Sequence, residues 1–426
     1  MSFKLKILRY LLRFKWVKFR YASKLQHLQA KRWKKYLKIL SKSPFYSKFL
    51  GKSTKLEDFP IVNKQAFMEN FDTINTCSIT LDKAMSIAIN AEKSRDFSPM
   101  INGITVGLSS GTSGNRGIFL ASENERAQWV AAVLDRVIGF QLKKRNVAFF
   151  LRANSNLYNS VASKLLRFEF FDLLIPTEKH IDSLNQLQPN ILVAQPSCLI
   201  ELAKFIESAK LRIHPEKVIS VAEVLYPEDK KYLENVFQQT IHQVYQCTEG
   251  LLASTCKEGN LHFHEDYLII EKNYLDDDKS RFHPVITDLM RSTQPVVRYE
   301  LNDIIHELKN CPCGSKMTAI AQIEGRSDDK LCFLNDEGIE TSIYPDFFRR
   351  AIILADSEIQ DYMLIQKSKS KLDLYIAGTE AIFEKAKNEI QTLLEYNRCF
   401  NVVIKKLEAS PFERGTKLRR IKNESI

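Results

Sequence analysis

The chain has 426 residues, of which 44% are hydrophobic and 27% are charged, and both values are ordinary for a globular protein. Its length predicts two domains. No apolar run reaches the length of a membrane span, and the N-terminus lacks the apolar block of a cleaved signal peptide. The eight cysteines have no regular spacing, so they do not resemble a disulfide framework. The cytoplasm is therefore the predicted location.

The net charge of +11 comes from one segment. Residues 1–42 hold 14 Lys or Arg and no acid, which leaves 48 basic and 51 acidic residues elsewhere, from totals of 62 and 51. Apolar residues such as Leu11 and Phe14 recur in it at helical spacing. The pattern fits a basic amphipathic helix docked on the body, and it also fits a helix in peripheral contact with a membrane; the sequence leaves both open. The rest of the chain has no basic stripe, so we expect no nucleic acid partner.

From about residue 145 the sequence alternates β-rich and amphipathic runs. Before these runs, Ser122 and Glu125 predict a capping box that opens the helix through AQWVAAVLDRVIGF. Strands are predicted at 146–153, 190–196, 217–225 and 241–249, and helices at 197–209 and 227–237. This order predicts a large layered α/β domain at residues 1–327. A hairpin pattern, an amphipathic helix and a further strand predict a small α+β domain at residues 328–426.

The run LSSGTSGNRG at 108–117 contains three of the 14 glycines of the chain. Its hydroxyl groups and backbone amides suit a phosphate. The run lacks the lysine of G-x-x-x-x-G-K-[ST] and does not match G-x-G-x-x-G, so it is neither a Walker loop nor a dinucleotide fingerprint. Taken alone, it fits an ordinary surface turn equally well.

Other segments of the chain, taken together with this run, give a more specific indication of function. SSGTSGNRG resembles the phosphate loop of the adenylate-forming ligases, especially S-S-G-T-[ST]-G of the phenylacetate–coenzyme A ligase branch. Further segments resemble that branch in the same order: AQPSCL, VAEVLYPE, YQCTEG, VITDLMRSTQPVVRYELNDII, CPCGSKMTAIAQIEGRSDDKL and ERGTKLRR. The resemblance spans residues 108–420. Departures from the branch pattern are Arg116 in place of proline, Gln246 in place of glycine, QPSC in place of the usual T-P-S-Y segment, and ELND in place of R-T-G-D.

The resemblance implies the α/β fold of the adenylate-forming ligases, with a mobile small domain. It also implies ATP-dependent conversion of a carboxylic acid, usually an aryl acid in this branch, to an acyl-adenylate with release of pyrophosphate. Transfer to a thiol of coenzyme A or of a carrier-protein phosphopantetheine would follow. The implied catalytic residues are Thr248, Glu249 as the Mg²⁺ ligand, and Lys417, with a hinge at Asp328. The implied nucleotide-binding residues are Ser109, Ser110, Gly111, Thr112, Ser113, Gly114, Ala222, Glu223, Tyr245, Asp303 and Arg326.

Two alternatives remain open from the sequence. One is an enzyme that ends in an amide or stops at adenylate transfer. The other is a degenerate nucleotide-binding module without turnover, which the altered ELND and YQCTE segments favour and the intact Glu249, Asp303 and Lys417 disfavour. The sequence does not identify the acid, the acceptor or the oligomeric state.

A second cluster is typical of a metal site. CPCG supplies Cys311 and Cys313, and CKEGNLHFH supplies Cys256 with either His262 or His264. Thiolate and imidazole ligands suit structural Zn²⁺. His262 is the preferred ligand, because its setting NLH and the four positions resemble those of the branch.

Overall fold

The computed structural model describes the chain apart from residues 22–23, 52–53, 95, 97–98, 110–115, 140, 142, 152–165, 327–329, 357, 360, 413–417 and 426, and it describes the backbone alone at 18–21, 326 and 346. The α-helices are α1 Phe3–Tyr21, α2 Leu25–Leu40, α3 Pro44–Leu50, α4 Lys64–Glu69, α5 Phe71–Ile74, α6 Leu81–Ser94, α7 Glu123–Ala132, α8 Ile181–Leu187, α9 Pro196–Glu207, α10 Pro227–Phe237, α11 Pro345–Ala355 and α12 Glu380–Tyr396. A π-helical segment, Val133–Ile138, prolongs α7.

The strands follow in chain order. They are β1 Met100–Ile101, β2 Ile104–Leu108, β3 Ile118–Ala121, β4 Arg145–Leu151, β5 Leu166–Asp172, β6 Ile191–Ala194, β7 Lys217–Ser220, β8 Ile241–Cys247, β9 Gly250–Thr255, β10 Leu261–Phe263, β11 Leu268–Tyr274, β12 Arg281–Asp288, β13 Val296–Glu300, β14 Asp303–Leu308, β15 Ala319–Arg326, β16 Leu331–Leu334, β17 Glu340–Ile343, β18 Tyr362–Ser368, β19 Lys371–Ile376, β20 Val403–Lys406 and β21 Ile421–Asn423.

The chain divides into two compact units. The first comprises Met1–Leu301 and Ile305–Gln322, and the second comprises Asn302–Ile304 and Ile323–Ile426. Residues 327–329, which contain the predicted domain boundary and the predicted hinge Asp328, lie outside the described residues. No helix in the described residues is long and apolar enough to cross a membrane.

One half of the large sheet of the first unit is parallel. Its strands pair in the order β5-β4-β6-β7-β8. The strand β6 reads ILVA and is buried at every residue, because helices cover both faces of a parallel sheet. Leu184 of α8, Leu199 of α9 and Leu233 of α10 belong to the core formed on this sheet. The four predicted strands and two predicted helices are therefore observed in the predicted order, whereas the strand β5 and the helix α8 were not predicted.

The sheet becomes antiparallel at β8. This strand pairs in parallel with β7 and antiparallel with β9, and the sheet continues through β10, β15, β14, β12 and β11, with β13 paired to β12. Because β8 ends at this change of direction, the turn that follows it lies at the edge where parallel α/β sheets bind ligands.

A smaller sheet, β1-β2-β3, packs against α6. Gly107 of β2 lies directly opposite Phe119 of β3, and a Cβ at Gly107 would lie 2.0 Å from the Phe119 ring. The glycine therefore lets this ring lie flat on the neighbouring strand, and the ring reaches the cleft described in the next section.

The first helix is docked on the body. Leu11, Phe14 and Val17 on one side of α1 are buried. Lys6 forms an ion pair with Glu123 at 2.9 Å, and the Tyr10 hydroxyl donates a hydrogen bond to Asn124 Oδ1 at 2.9 Å. The basic N-terminal segment thus packs along α7.

The second unit is a small α+β structure. Its four-stranded sheet has the order β20-β19-β18-β21, and β16 and β17 form a separate hairpin. Phe348 of α11, Leu364 of β18 and Ile390 of α12 lie in one core. A large layered α/β unit followed by a small α+β unit confirms the predicted fold class.

Candidate active site

The glycine-rich run closes a β-hairpin. Ser109 N donates to Gly117 O at 2.8 Å, and Gly117 N donates to Ser109 Oγ at 2.7 Å, so these two residues form the base of the loop. Arg116 holds this base by donating to Glu92 of α6 at 2.6 and 3.1 Å. Strand β3 separates the loop from the start of α7. The predicted phosphate contacts of Ser110, Gly111, Thr112, Ser113 and Gly114 lie outside the described residues.

The segment VAEVLYPE, which contains the predicted nucleotide-binding residues Ala222 and Glu223, follows β7. Ala222 has a φ of 68°, and Glu223 N donates to Val221 O at 2.9 Å, which forms a γ-turn. A non-glycine residue with positive φ carries backbone strain, and such strain is concentrated at functional sites. The Glu223 carboxylate accepts hydrogen bonds from Ser197 N and Ser197 Oγ, each at 3.2 Å. The side chain of Glu223 therefore stabilises the first turn of α9.

The predicted catalytic pair follows β8. Thr248 and Glu249 form the half-buried turn between β8 and β9, and Tyr245 is buried three residues before Thr248. Since β7 and β8 are paired parallel neighbours, Ala222 and Glu249 follow the same ends of adjacent strands. The fold thus brings the two predicted segments to one edge of the sheet.

A cleft lies between this turn and α7. Phe119, Trp129, Ala132, Leu251 and Met290 supply apolar surface, while the polar or small lining residues are Glu125, Arg126, Gln128, Gln246, Cys247, Thr248, Gly250, Asp288 and Arg291. An apolar cleft with a few convergent polar groups is the usual form of a small-molecule site.

Asp288 lies in the wall of the cleft. It is 4% exposed, and its Oδ1 accepts a hydrogen bond from Met290 N at 2.8 Å. Its Oδ2 is so close to Gly250 that a Cβ there would lie 3.0 Å away. Burial raises the pKa of Asp288 to about 6, although the charge of Arg291 opposes this shift. Asp288 is a cleft residue that carries charge and is not among the predicted site residues.

Glu125 joins two walls of the cleft. Its carboxylate completes the predicted capping box with Ser122 and also accepts from Ser292 N at 2.6 Å and Thr293 N at 2.9 Å. Burial would raise the pKa of Glu125, but Arg291 and the hydrogen bonds from Ser122 and Thr293 lower it below its ordinary value. One ionised side chain therefore fixes the start of α7 to the segment that follows β12.

The predicted metal ligands converge. The ligand atoms of Cys256, His262, Cys311 and Cys313 all lie within 4.8 Å of one another. The sulfurs of Cys256 and Cys311 are 3.8 Å apart, and Cys313 Sγ is 3.4 Å from His262 Nε2. Tetrahedral zinc would separate two sulfurs by about 3.8 Å, and a sulfur and a nitrogen by about 3.6 Å. The four residues fit Zn²⁺.

The surroundings of the cluster support the same assignment. His262 Nδ1 is 3.0 Å from Met317 O, which fixes the ring and leaves Nε2 for a metal. Burial alone would raise the pKa of Cys311, but hydrogen bonds from Cys313 N, His262 and Asn260 lower it to about 6.

His264, the alternative ligand, is not in the cluster. Its Nε2 is 2.8 Å from Ser254 Oγ, and its Nδ1 is 2.7 Å from Tyr267 Oη. Burial and the charge of Arg136 lower the pKa of His264 to about 3. This histidine is therefore neutral and packed in the core.

The remaining predicted residues belong to the second unit. Asp303 begins β14 and is half-buried, and Arg326 ends β15. Lys417 lies outside the described residues, as does Asp328. Their predicted roles remain predictions.

Sequence reasoning missed Trp129, Arg126 and Asp288 as cleft residues. The first two read as ordinary members of an amphipathic helix, and Asp288 reads as an acid at a strand end. Among the cleft residues that were not predicted, only Gln246 stood out in the sequence, because it departs from the glycine of the resembled motif.

No family model matches the chain. It is 29% identical to an indoleacetate–lysine synthetase of Pseudomonas savastanoi over 136 residues, which are 31% of this chain and 33% of that protein. It is 27% identical to a phenylacetate–coenzyme A ligase of Pseudomonas putida over 168 residues, which are 36% of this chain and 38% of that protein. The matches thus span little more than a third of the length of these curated relatives.

The structure is similar to that of a 2-hydroxyisobutyryl-CoA ligase in the postadenylation state, in complex with R3-HIB-AMP. The TM-score is 0.61 and the sequence identity 16%, and the match covers 98% of this chain and 89% of that chain. The fold is therefore that of the adenylate-forming ligases. The two partial sequence matches, to a synthetase and to a ligase, agree with this fold.

Proposed function

We propose that the protein is an ATP-dependent acid–thiol ligase of the AMP-forming type. A carboxylate oxygen of the acid attacks the α-phosphorus of ATP, and the bond to pyrophosphate breaks. A thiolate then attacks the acyl carbon, AMP leaves, and the proton of the thiol passes to solvent. The observation that carries this proposal is the cleft itself, whose lining runs from Trp129 of α7 to Thr248, directly beside Glu249 at the carboxyl end of β8.

The chemistry requires charge compensation, because an anionic acid approaches an anionic triphosphate. Glu249 would bind Mg²⁺, a hard cation that prefers carboxylate oxygen, and the ion would offset phosphate charge. The loop that begins at Ser109 would contact the β- and γ-phosphates, and Asp303 the ribose hydroxyls. Lys417 would bridge the acid and the α-phosphate as a point charge. The positions of Thr248 and Ala222 at one sheet edge support this assignment.

The acid would occupy the cleft between α7 and the turn at Thr248. Its apolar lining suits an aryl or alkyl group. Coenzyme A is the thiol named for the second curated relative, and a carrier-protein phosphopantetheine offers the same chemistry. Since the reaction consumes ATP, we expect the protein in the cytoplasm, and a peripheral membrane contact through residues 1–42 is an independent proposal.

Transfer to an amine is the second candidate. The similarity to an indoleacetate–lysine synthetase favours it, and so does Asp288, a buried carboxylate that an amino group would complement. In this reaction the amine nitrogen attacks the acyl carbon and AMP leaves.

We also propose that Cys256, His262, Cys311 and Cys313 hold a structural Zn²⁺. Closed sites with sulfur and nitrogen ligands are structural, because they leave no coordination position for a substrate. The separations of 3.8 and 3.4 Å support this proposal.

Pyrophosphate release with a panel of aryl and fatty acids tests the activity, and substitution of a carrier protein or lysine for coenzyme A identifies the acceptor.

We expect Lys417→Ala to lose adenylation by about 10²–10³-fold, the usual effect of removing one preorganised charge. It should still form the thioester from supplied acyl-adenylate, whereas Asp328→Pro should adenylate and fail to transfer. Lys371→Ala, a change at the exposed first residue of β19, is the matched control. Folded protein that releases no pyrophosphate with any acid would leave only the nucleotide-binding module.

A further inference from the structure

The helix α1 presents a second apolar side, away from the one that docks. Leu5, Leu8, Leu12 and Trp16 are 51%, 49%, 61% and 52% exposed. Their spacing of three and four residues aligns them along one side of the helix. At 100° per residue, this row is centred roughly opposite the buried Leu11, Phe14 and Val17. A row of four large apolar side chains on a docked helix marks an interaction surface.

Basic residues flank this row on both sides. Lys4 and Lys15 lie along one border and Arg9 and Arg13 along the other, and all four are exposed. The exposed side of α2 carries Lys31, Lys34, Lys35 and Lys38, and residues 1–42 contain no acid. The surface thus combines a narrow apolar row with a purely cationic border.

We propose that this outward side of α1, defined by Leu5, Leu8, Leu12 and Trp16, binds the surface of an anionic phospholipid bilayer. Leucine side chains would enter the acyl boundary, and the tryptophan ring suits the level of the headgroups. The lysines and arginines would extend to the anionic headgroups, each adding electrostatic attraction. A nucleic acid would not require the apolar row, and the one-signed charge favours a uniformly anionic partner.

The buried side of α1 connects the proposed lipid-binding surface to the cleft. Tyr10 accepts a hydrogen bond from Gln128 at 3.3 Å, and Gln128 lines the cleft. The same helix that would lie on the bilayer therefore packs on one wall of the cleft. The lipid contact is independent of the adenylation chemistry, so either proposal can fail alone.

Cosedimentation of the full chain with vesicles tests the inference. We expect binding to phosphatidylglycerol-containing vesicles, weak binding to pure phosphatidylcholine, and a steep decrease with salt. The double variant Leu8→Gln with Leu12→Gln should bind at least about tenfold less, because apolar burial sets the affinity of interfacial helices. Arg9→Gln with Arg13→Gln should lose a similar factor at low salt.

Controls separate this surface from general effects. Leu354→Gln alters a leucine of α11 in the second unit that is even more exposed, at 76%, and should leave vesicle binding unchanged. Thermal unfolding should be the same for all variants. Trp16 fluorescence should shift to shorter wavelength with anionic vesicles, and Trp16→Phe should lose that shift while still cosedimenting.

Three outcomes would overturn the proposal. They are absence of binding to anionic vesicles, equal binding by the Leu8→Gln and Leu12→Gln variant, and a concentration-dependent dimer that this variant abolishes. The last outcome would assign the surface to a second copy of the chain.

Discussion

The indole Nε1 of Trp129 donates a hydrogen bond of 3.2 Å to Oε1 of Gln246. The two residues come from α7 and β8, and both line the cleft. Gln246 stands where the resembled motif has glycine, so its side chain takes up space that a glycine would leave open. If the acid binds in this cleft as proposed, we expect this contact to limit its size.

We expect Gln246→Gly to accept larger acids. Relative kcat/KM for a large over a small acid should rise by about tenfold or more, since one methylene in a pocket already changes it by that factor. Pyrophosphate release with an acid series measures the effect. Trp129→Phe removes the donor and keeps most of the volume, so it should change the ratio far less. An unchanged ratio in Gln246→Gly would place the acid elsewhere.

Purified protein should contain about one equivalent of zinc. Cys311→Ser should lose the metal and also solubility, because structural zinc contributes on the order of 10 kcal/mol to folding of a small site. Cys332→Ser is the control, since this half-buried cysteine of β16 is 3.5 Å from Ser342 Oγ and lies outside the cluster. Metal analysis that finds no zinc in protein prepared without chelator would refute the site.

Docking of α1 predicts a large loss of stability for one residue and a small loss for its near neighbour. Phe14 is 2% exposed, and the Arg136 guanidinium lies 4.9 Å from its ring centroid. We expect Phe14→Ala to lower the free energy of unfolding by about 3–5 kcal/mol, and Leu12→Ala by no more than about 0.5 kcal/mol. Urea unfolding without lipid measures both. Similar losses in the two variants would contradict the docked orientation.

Asp288 predicts a pH dependence of stability. Burial raises its pKa from 3.8 to about 6, so the folded state retains the proton more tightly than the unfolded state. Its contribution to stability is fully present below the unfolded pKa and is lost as the pH rises through about 6. Asp288→Asn should therefore gain stability relative to the parent between about pH 4 and pH 7, by up to about 3 kcal/mol.

Urea unfolding at several pH values measures this difference. Asp266→Asn provides the contrast: the pKa of Asp266 is lowered, because the two hydrogen bonds and the charge of Arg136 outweigh burial. Its loss should destabilise the protein at neutral pH, by about 3–5 kcal/mol for a broken buried pair. A pH-independent difference for Asp288→Asn would contradict the proposed proton linkage.

Local patterns predicted four of the five strands in the parallel half of the sheet, all but β5. The apolar run ILVA and the Ser122–Glu125 box determine their own structures, because strand burial and helix capping depend on nearby residues. The antiparallel strands from β9 to β15 were not predicted, and neither was the π-helical end of α7. The pairing of these strands depends on contacts between residues distant in sequence, and the hydrophobic periodicity within one segment does not predict such contacts.

The candidate site likewise combines features that the local sequence predicted with features that depend on the folded chain. The predicted metal ligands converge as two pairs. Cys256 directly follows β9 and His262 lies in the adjacent strand β10, and Cys311 and Cys313 come from the single segment CPCG. The ligand spacing alone did not separate His262 from His264, and only the resemblance of NLH to the branch favoured His262, which lies in the cluster. Burial in the folded chain raises the pKa of Asp288, and Gly250, which lies beside its carboxylate, is 38 positions earlier in the sequence. Such burial is a property of the fold.

The hydrogen bonds of the Glu125 carboxylate have a consequence for how the proposed enzyme would bind its acid. One carboxylate joins the start of α7 to Ser292 and Thr293, so hydrogen bonds hold two walls of the cleft together. We therefore expect adjustment to an incoming acid to come mainly from the turn at Thr248. Most of the entropy cost of shaping the cavity is met during folding, and the protein should discriminate among acids by steric exclusion more than by closure around them.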